Sequence, residues 1–166
     1  MAAANPAIAG QTTKMPNAAP VLGNAVAPPP VTRRFEIADL SKHGGWILRR
    51  LQKARPSLSE AQLMQWLKSV IYSNEHLFLY QEHGCALAQT VREETLAGLP
   101  VVRERFVFAE EGHAEGAADF YDHILQWAKN QGVVTILVEE MTDVPHDLIK
   151  EKLGRLFERK QVFARV

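Results

Sequence analysis

The groups in this sequence that could do chemistry gather between residues 101 and 134. Val101-Val102-Arg103-Glu104-Arg105-Phe106-Val107-Phe108-Ala109 runs into Glu110-Glu111 and then into Gly112-His113-Ala114-Glu115-Gly116-Ala117-Ala118. The apolar run predicts a strand. The small residues predict a loop, and the amphipathic run beyond them predicts a helix to about Asn130, stopped by Gly132. A strand feeding a Gly/Ala loop that opens a helix aims free backbone N–H groups and a positive helix end at one point. That is a recipe for holding a phosphate or another anion. His113, Gly116, Ala117 and Ala118 are the candidate binding residues there. Glu104 lies in the Arg103-Glu104-Arg105 alternation, which predicts a charge facing outward.

Other reactive residue types lack the company that chemistry needs. Cys85 is the only cysteine, so neither an internal disulfide nor a cysteine-based zinc site can form. It has no visible base and orienting partner, and reads as a small buried apolar residue. His43-Gly44-Gly45 could line an oxyanion loop, but no Gly-x-Ser-x-Gly elbow accompanies it. His76, His83, His123 and His146 show no metal-ligand spacing, and no metal site is expected. Trp46, Trp66 and Trp127 fall at core-like helical positions, and the mixed charges of 150–152 and 158–160 read as a solvated helix face.

The elements that must position the 101–134 stretch are set by the hydrophobic pattern. Residues 35–40 alternate and predict a strand. Ser41 then caps a helix that ends before Pro56. A second helix begins at Ser57 or Ser59, where Ser59-Glu60-Ala61-Gln62 fits a capping box. Strands are predicted over 76–81 and 85–92, joined by a turn at 82–84, and over 101–109. The β-branched run 133–139 predicts a buried strand, 146–159 a last helix, and 162–166 a closing strand. Three consecutive strands make this an α+β fold. The 101–139 unit requires its two strands to lie side by side and parallel with a right-handed crossover.

Residues 1–33 differ from the rest. They are mostly Ala, Pro, Asn, Thr and Gly, with Pro28-Pro29-Pro30 near their end, and no apolar period survives. Such a segment cannot build a core of its own. It is expected to be an extended Ala/Pro-rich arm in front of a folded domain at 34–166, held in order only by an external surface. The chain is formally neutral over 166 residues, but residues 1–34 carry Lys14, Arg33 and Arg34 and no acid. Direct nucleic-acid binding is not expected from that balance. No apolar run reaches the length of a membrane span, and the N-terminus has no secretory pattern.

Over roughly residues 35–166 the element order resembles the Gcn5-related N-acetyltransferase (GNAT) superfamily. The resemblance implies a mixed central sheet flanked by helices. It implies that the loop Gln/Arg-x-x-Gly-x-Gly/Ala after the fourth strand holds the pyrophosphate of acetyl-CoA. Gly116 and Ala118 fit that loop, whereas His113 replaces Gln/Arg and Glu115 adds an acid. Glu104 stands mid-strand, at a place where the resemblance implies a general base that deprotonates the amine, and is the candidate catalytic residue. At about 4–8 Å and an effective dielectric near 20, each carboxylate opposes a phosphate by about 2–4 kcal/mol before screening. A helix terminus returns only about 0.3–1 kcal/mol. The family's C-terminal motif is eroded as well. Lys150, Leu153, Phe157, Gln161 and Val162 stand at its Asn, Ala, Tyr, Gly and Phe positions, and Phe157 has no proton to give. The resemblance therefore implies a catalytically degenerate GNAT-fold protein with no cofactor expected. Its Ala/Pro arm looks like those of bacteriophage virion proteins. On that likeness it would be a head, connector or tail component in several copies, docked on other virion chains through residues 1–33 and assembled in the host cytoplasm. The alternative is a working acetyl-CoA-dependent N-acetyltransferase that acts on an amine.

Overall fold

A computed structural model describes residues 31–138 and 141–154. The expected arm up to residue 30, the end of the last helix, Phe157 and the closing strand at 162–166 lie outside the described residues.

Five strands form one sheet, in the spatial order β1 (Arg33–Arg34), β2 (His76–Gln81), β3 (Gly84–Glu93), β4 (Leu99–Ala109) and β5 (Ile136–Leu137). Neighbours from β1 to β4 run antiparallel. β5 pairs parallel to β4, with Val102 opposite Ile136 and Arg103 opposite Leu137. The expected parallel neighbours are thus found, joined by α3 (Ala114–Ala117) and α4 (Asp119–Asn130). The expected single helix breaks at Ala118, whose N–H turns back to the Glu115 carbonyl. Among the described residues of the 133–139 run, only Ile136 and Leu137 are strand. The Val133 N–H still returns to the Ala128 carbonyl, and Val134 is 98% exposed. The β-branched pattern there spans the exit from the helix as well as the strand.

Helices α1 (Leu40–Ala54) and α2 (Glu60–Ile71) cover one face of the sheet, and α4 and α5 (His146–Leu153) the other. Alternation sorts the strand residues between two cores. Phe78, Cys85, Leu87, Phe106 and Phe108 pack with α1 and α2. Leu77, Leu79, Ala86, Ala88, Val102 and Val107 pack with α4. On β4 the parity changes, because Leu87 faces Phe106 while Ala88 faces Glu104. Arg105 is the extra residue of a β-bulge, which re-aims the side chains on either side of it.

Near the N-terminus the expected strand 35–40 is a single 3-10 turn, Ile37–Asp39, and the strand lies earlier at Arg33–Arg34. The cause is Asp39. Its carboxylate takes both guanidinium nitrogens of Arg33 at 2.7 Å and the Glu36 N–H at 2.8 Å, which folds the chain back. Ser41 accordingly does not cap. It sits inside α1 and donates to the Ala38 carbonyl. Ser59 does cap α2, with the reciprocal Gln62 bond of the capping box. No helix among the described residues is long and apolar enough to cross a membrane.

Candidate functional site

Glu104 is not the outward charge that alternation predicts. It is fully buried, because the bulge at Arg105 leaves it on the α4 side of the sheet. There the Tyr121 hydroxyl donates to its Oε2 at 3.2 Å, and the Thr142 hydroxyl lies 3.2 Å from the Tyr121 oxygen. Burial first, and then the neighbouring Glu104 charge, push the Tyr121 phenol above its ordinary range. Tyr121 therefore stays protonated and donates a hydrogen bond to Glu104. The Thr142 hydroxyl is left to donate to Tyr121, and it accepts in turn from the Val144 N–H at 3.2 Å. The hydrogen bonds of this chain all run one way, toward the carboxylate.

Among the described residues β4 pairs with its parallel neighbour at Val102 and Arg103 and again at a parallel bridge between Val107 and Thr142. The Val107 N–H donates to the Met141 carbonyl and the Asp143 N–H to the Val107 carbonyl, at 3.0 and 2.8 Å. The Asp143 carboxylate takes the Ala109 N–H at 2.9 Å and an ion pair from Arg50, which also donates to the Ala109 carbonyl. Residues 141–143 thus form a strap over the upper edge of β4. On the α1 side of the strap lies a cleft of about 710 Å³ walled by Trp46, Arg50, Phe108, Met141 and Thr142.

The predicted anion loop lies at the end of β4. Gly112 adopts φ +82°, which suits glycine, and lets the chain turn into α3. The Ala117 and Ala118 N–H groups are spent on the His113 and Glu115 carbonyls, and both residues are buried. Among the described residues the N–H groups of Ala114, Glu115 and Gly116 have no backbone acceptor. Those three, rather than Ala117 and Ala118, are the donors open to a phosphate-bearing group such as that of acetyl-CoA. The side chains around them work against an anion. Glu110, Glu111 and Glu115 are exposed around the loop. The His113 ring stacks on His83 at 3.8 Å, and His83 Nδ1 lies 3.0 Å from Glu110. The open backbone N–H groups suit an anion, and the surrounding carboxylates oppose one.

Cys85 is buried in the α1/α2 core, where burial pushes its thiol well above the ordinary range and disfavours the reactive thiolate. Among the described residues no group of three His, Cys, Asp or Glu is placed to hold a metal ion. Tyr121, Thr142, Asp143 and Arg50 escape sequence reasoning. Arg50 and Asp143 are 93 residues apart, and nothing local links them.

No family model matches the sequence, and no curated protein does. Solved structures do match. An aminoglycoside antibiotic 6'-N-acetyltransferase from Acinetobacter baumannii aligns over 82% of this chain and 97% of its own, with TM-score 0.60 and 15% identity. A predicted acetyltransferase with acetyl-CoA from Clostridium acetobutylicum aligns over 80% and 94%, with TM-score 0.58 and 13% identity. AAC(6')-Iy in complex with a CoA-linked bisubstrate analogue aligns over 82% and 97%, with TM-score 0.59 and 14% identity. With its five-stranded mixed sheet, flanking helices and bulged fourth strand, this chain has the GNAT acetyltransferase fold.

Proposed function

We propose that the protein is an acetyl-CoA-dependent N-acetyltransferase in which Glu104 is the base. The observation that carries this reading is a fully buried carboxylate joined through the Tyr121 hydroxyl to the hydroxyl of Thr142, itself a residue of the cleft wall. A buried ionisable group at the end of a directed hydrogen-bond chain is a functional-site signal. Bound acetyl-CoA supplies an activated acetyl thioester. It would be held by the Ala114, Glu115 and Gly116 N–H groups. The residues of the chain do the rest. Thr142 takes the proton that the attacking amine loses, passes its own to Tyr121, and Tyr121 passes one to Glu104. Each hydroxyl ends the step neutral, and the carboxylate ends it protonated. The loop carboxylates predict weak cofactor affinity.

The test is release of CoA thiol with a panel of amines, set beside a thermal shift with acetyl-CoA. Turnover that falls about 10²–10⁴-fold in Glu104→Gln, with the fold intact by circular dichroism, supports the base assignment. A ligand at 100 times its dissociation constant stabilises by about 2.7 kcal/mol. No turnover and no shift at millimolar acetyl-CoA would overturn the reading.

A second reading has its own observations. The strap on β4 and the three carboxylates of the loop both suit a GNAT-fold protein that no longer turns over. Such a protein would serve as an assembly part, for instance a virion component docked through residues 1–33. Incorporation of the full chain into a particle, lost on deleting residues 2–30, would favour it.

A further inference from the structure

We infer that the cleft beside α1 binds an anionic ligand with a flat apolar body, and that the amine acceptor carries this anion. The second half rests on the transferase reading, and the first half does not. The cleft, at about 710 Å³, has the size of a small-molecule site. One face of α1 presents Trp46, Arg49, Arg50 and Lys53 to it, at the three- and four-residue spacing that puts helical side chains side by side. Facing them across the cleft are Phe108 and Met141.

The apolar part of the wall is already arranged for a flat group. Trp46 meets Phe108 edge-on at 6.2 Å between ring centroids, and the Arg50 guanidinium lies 5.4 and 5.5 Å from the two rings. Arg50 is fixed in place by Asp143 and the Ala109 carbonyl. Arg49 and Lys53 are exposed, and neither has an ion pair among the described residues. Among the described residues, three cations and one carboxylate, Asp143, line the cleft, and that balance favours anions over cations. An acceptor with a carboxylate or phosphate beside its amine suits it. A polycationic acceptor, such as the aminoglycoside in the name of one neighbour, does not.

The experiment compares two probes with one aromatic body and opposite charge, 3-phenylpropionate and phenethylammonium, by tryptophan fluorescence and calorimetry on the full chain. The expected result is binding of 3-phenylpropionate at least about ten-fold tighter than phenethylammonium, weakened by salt. The double variant Arg49→Ala/Lys53→Ala touches only exposed side chains and should lose about ten-fold for the anion and gain for the cation. Equal binding of the two probes, no binding of either, or an unchanged double variant would each overturn the site. For the acceptor half, amines bearing a carboxylate should outrun diamines in the thiol-release assay. The double variant should lose that preference in KM and not in kcat. Diamines outrunning carboxylate amines would sink the acceptor assignment. Anion binding in a protein that acetylates nothing would sink the transferase reading and leave the site standing.

Discussion

A carboxylate with no exposed surface survives in a fold only with hydrogen-bond donors around it. For Glu104 one of those donors is the Tyr121 hydroxyl. Tyr121→Phe keeps the ring in the α4-side core and removes only the oxygen. It should cost about 1–3 kcal/mol, seen as a lower urea midpoint, and should break proton transfer between Thr142 and Glu104. Under the proposed function its turnover falls with KM nearly unchanged, whereas a purely structural Tyr121 would leave turnover per folded molecule alone. Asp39 makes a prediction about pH. The Arg33 hydrogen bonds first, and the Glu36 N–H after them, hold its carboxyl below the usual carboxylate range against the opposing effect of burial. A depressed folded-state pKa gives stability that is complete above the unfolded value, about 3.9, and lost as pH falls through the folded value. Asp39→Asn should therefore cost about 1.5–3 kcal/mol at neutral pH. The gap between wild type and variant should close as acid protonates Asp39, and urea midpoints measured from pH 7 down to pH values near 2 check the sign.

At the scale of elements, the hairpin of β2 and β3 depends on one missing side chain. A Cβ on Gly84 would stand 2.8 Å from the Phe108 carbonyl oxygen and 3.2 Å from the Phe120 ring. Backbone cannot yield as a flexible side-chain tip can, so Gly84→Ala should destabilise by about 1–3 kcal/mol, read as a drop in melting temperature. The strap makes a second prediction at this scale. Asp143→Ala frees the Ala109 N–H and unties Arg50, so the fold should lose about 1–3 kcal/mol. The freed edge of β4 should then bind acetyl-CoA more tightly in calorimetry, and unchanged affinity would show that the strap does not guard the cofactor. What is legible in the sequence is local. The β2 strand coincides with the predicted 76–81, because its alternation and bounding turns are contained in its own residues. The Ser59–Gln62 capping box is equally self-contained. What is not legible depends on register or on distant partners. The bulge at Arg105 leaves no mark in composition, yet it decides that Glu104 is buried. The strap exists because Arg50 meets Asp143 in space. The 35–40 alternation misleads because the fold of that segment is set by an ion pair and not by a buried face.

At the scale of the whole molecule, the question is where the folded domain begins. Composition puts a boundary near residue 34, since nothing before it can form a core. The sheet, however, uses the last residues of that segment. Thr32 accepts from the Gln81 side chain at 2.7 Å, Arg33 and Arg34 pair with Tyr80 and Leu79, and Arg33 lies 4.6 Å from the Tyr80 ring centroid. Arg33 also neutralises Asp39, which is 7% exposed. Two truncations separate these contributions. A chain starting at residue 31 keeps every one of those contacts, and its melting temperature should stay within about 2 °C of the full chain. A chain starting at residue 35 strips β1 from the sheet. It leaves the Asp39 carboxylate and the Gln81 amide short of partners and opens the edge of β2 to pairing with other chains. That loss should be about 2–4 kcal/mol, a fall of about 5–15 °C by calorimetry, with more aggregation on heating. If both truncations melt alike, residues 31–34 contribute nothing to the domain and the boundary belongs where composition puts it. If the chain starting at 31 already melts low, residues 1–30 stabilise the domain themselves, which would count against an arm reserved for a partner.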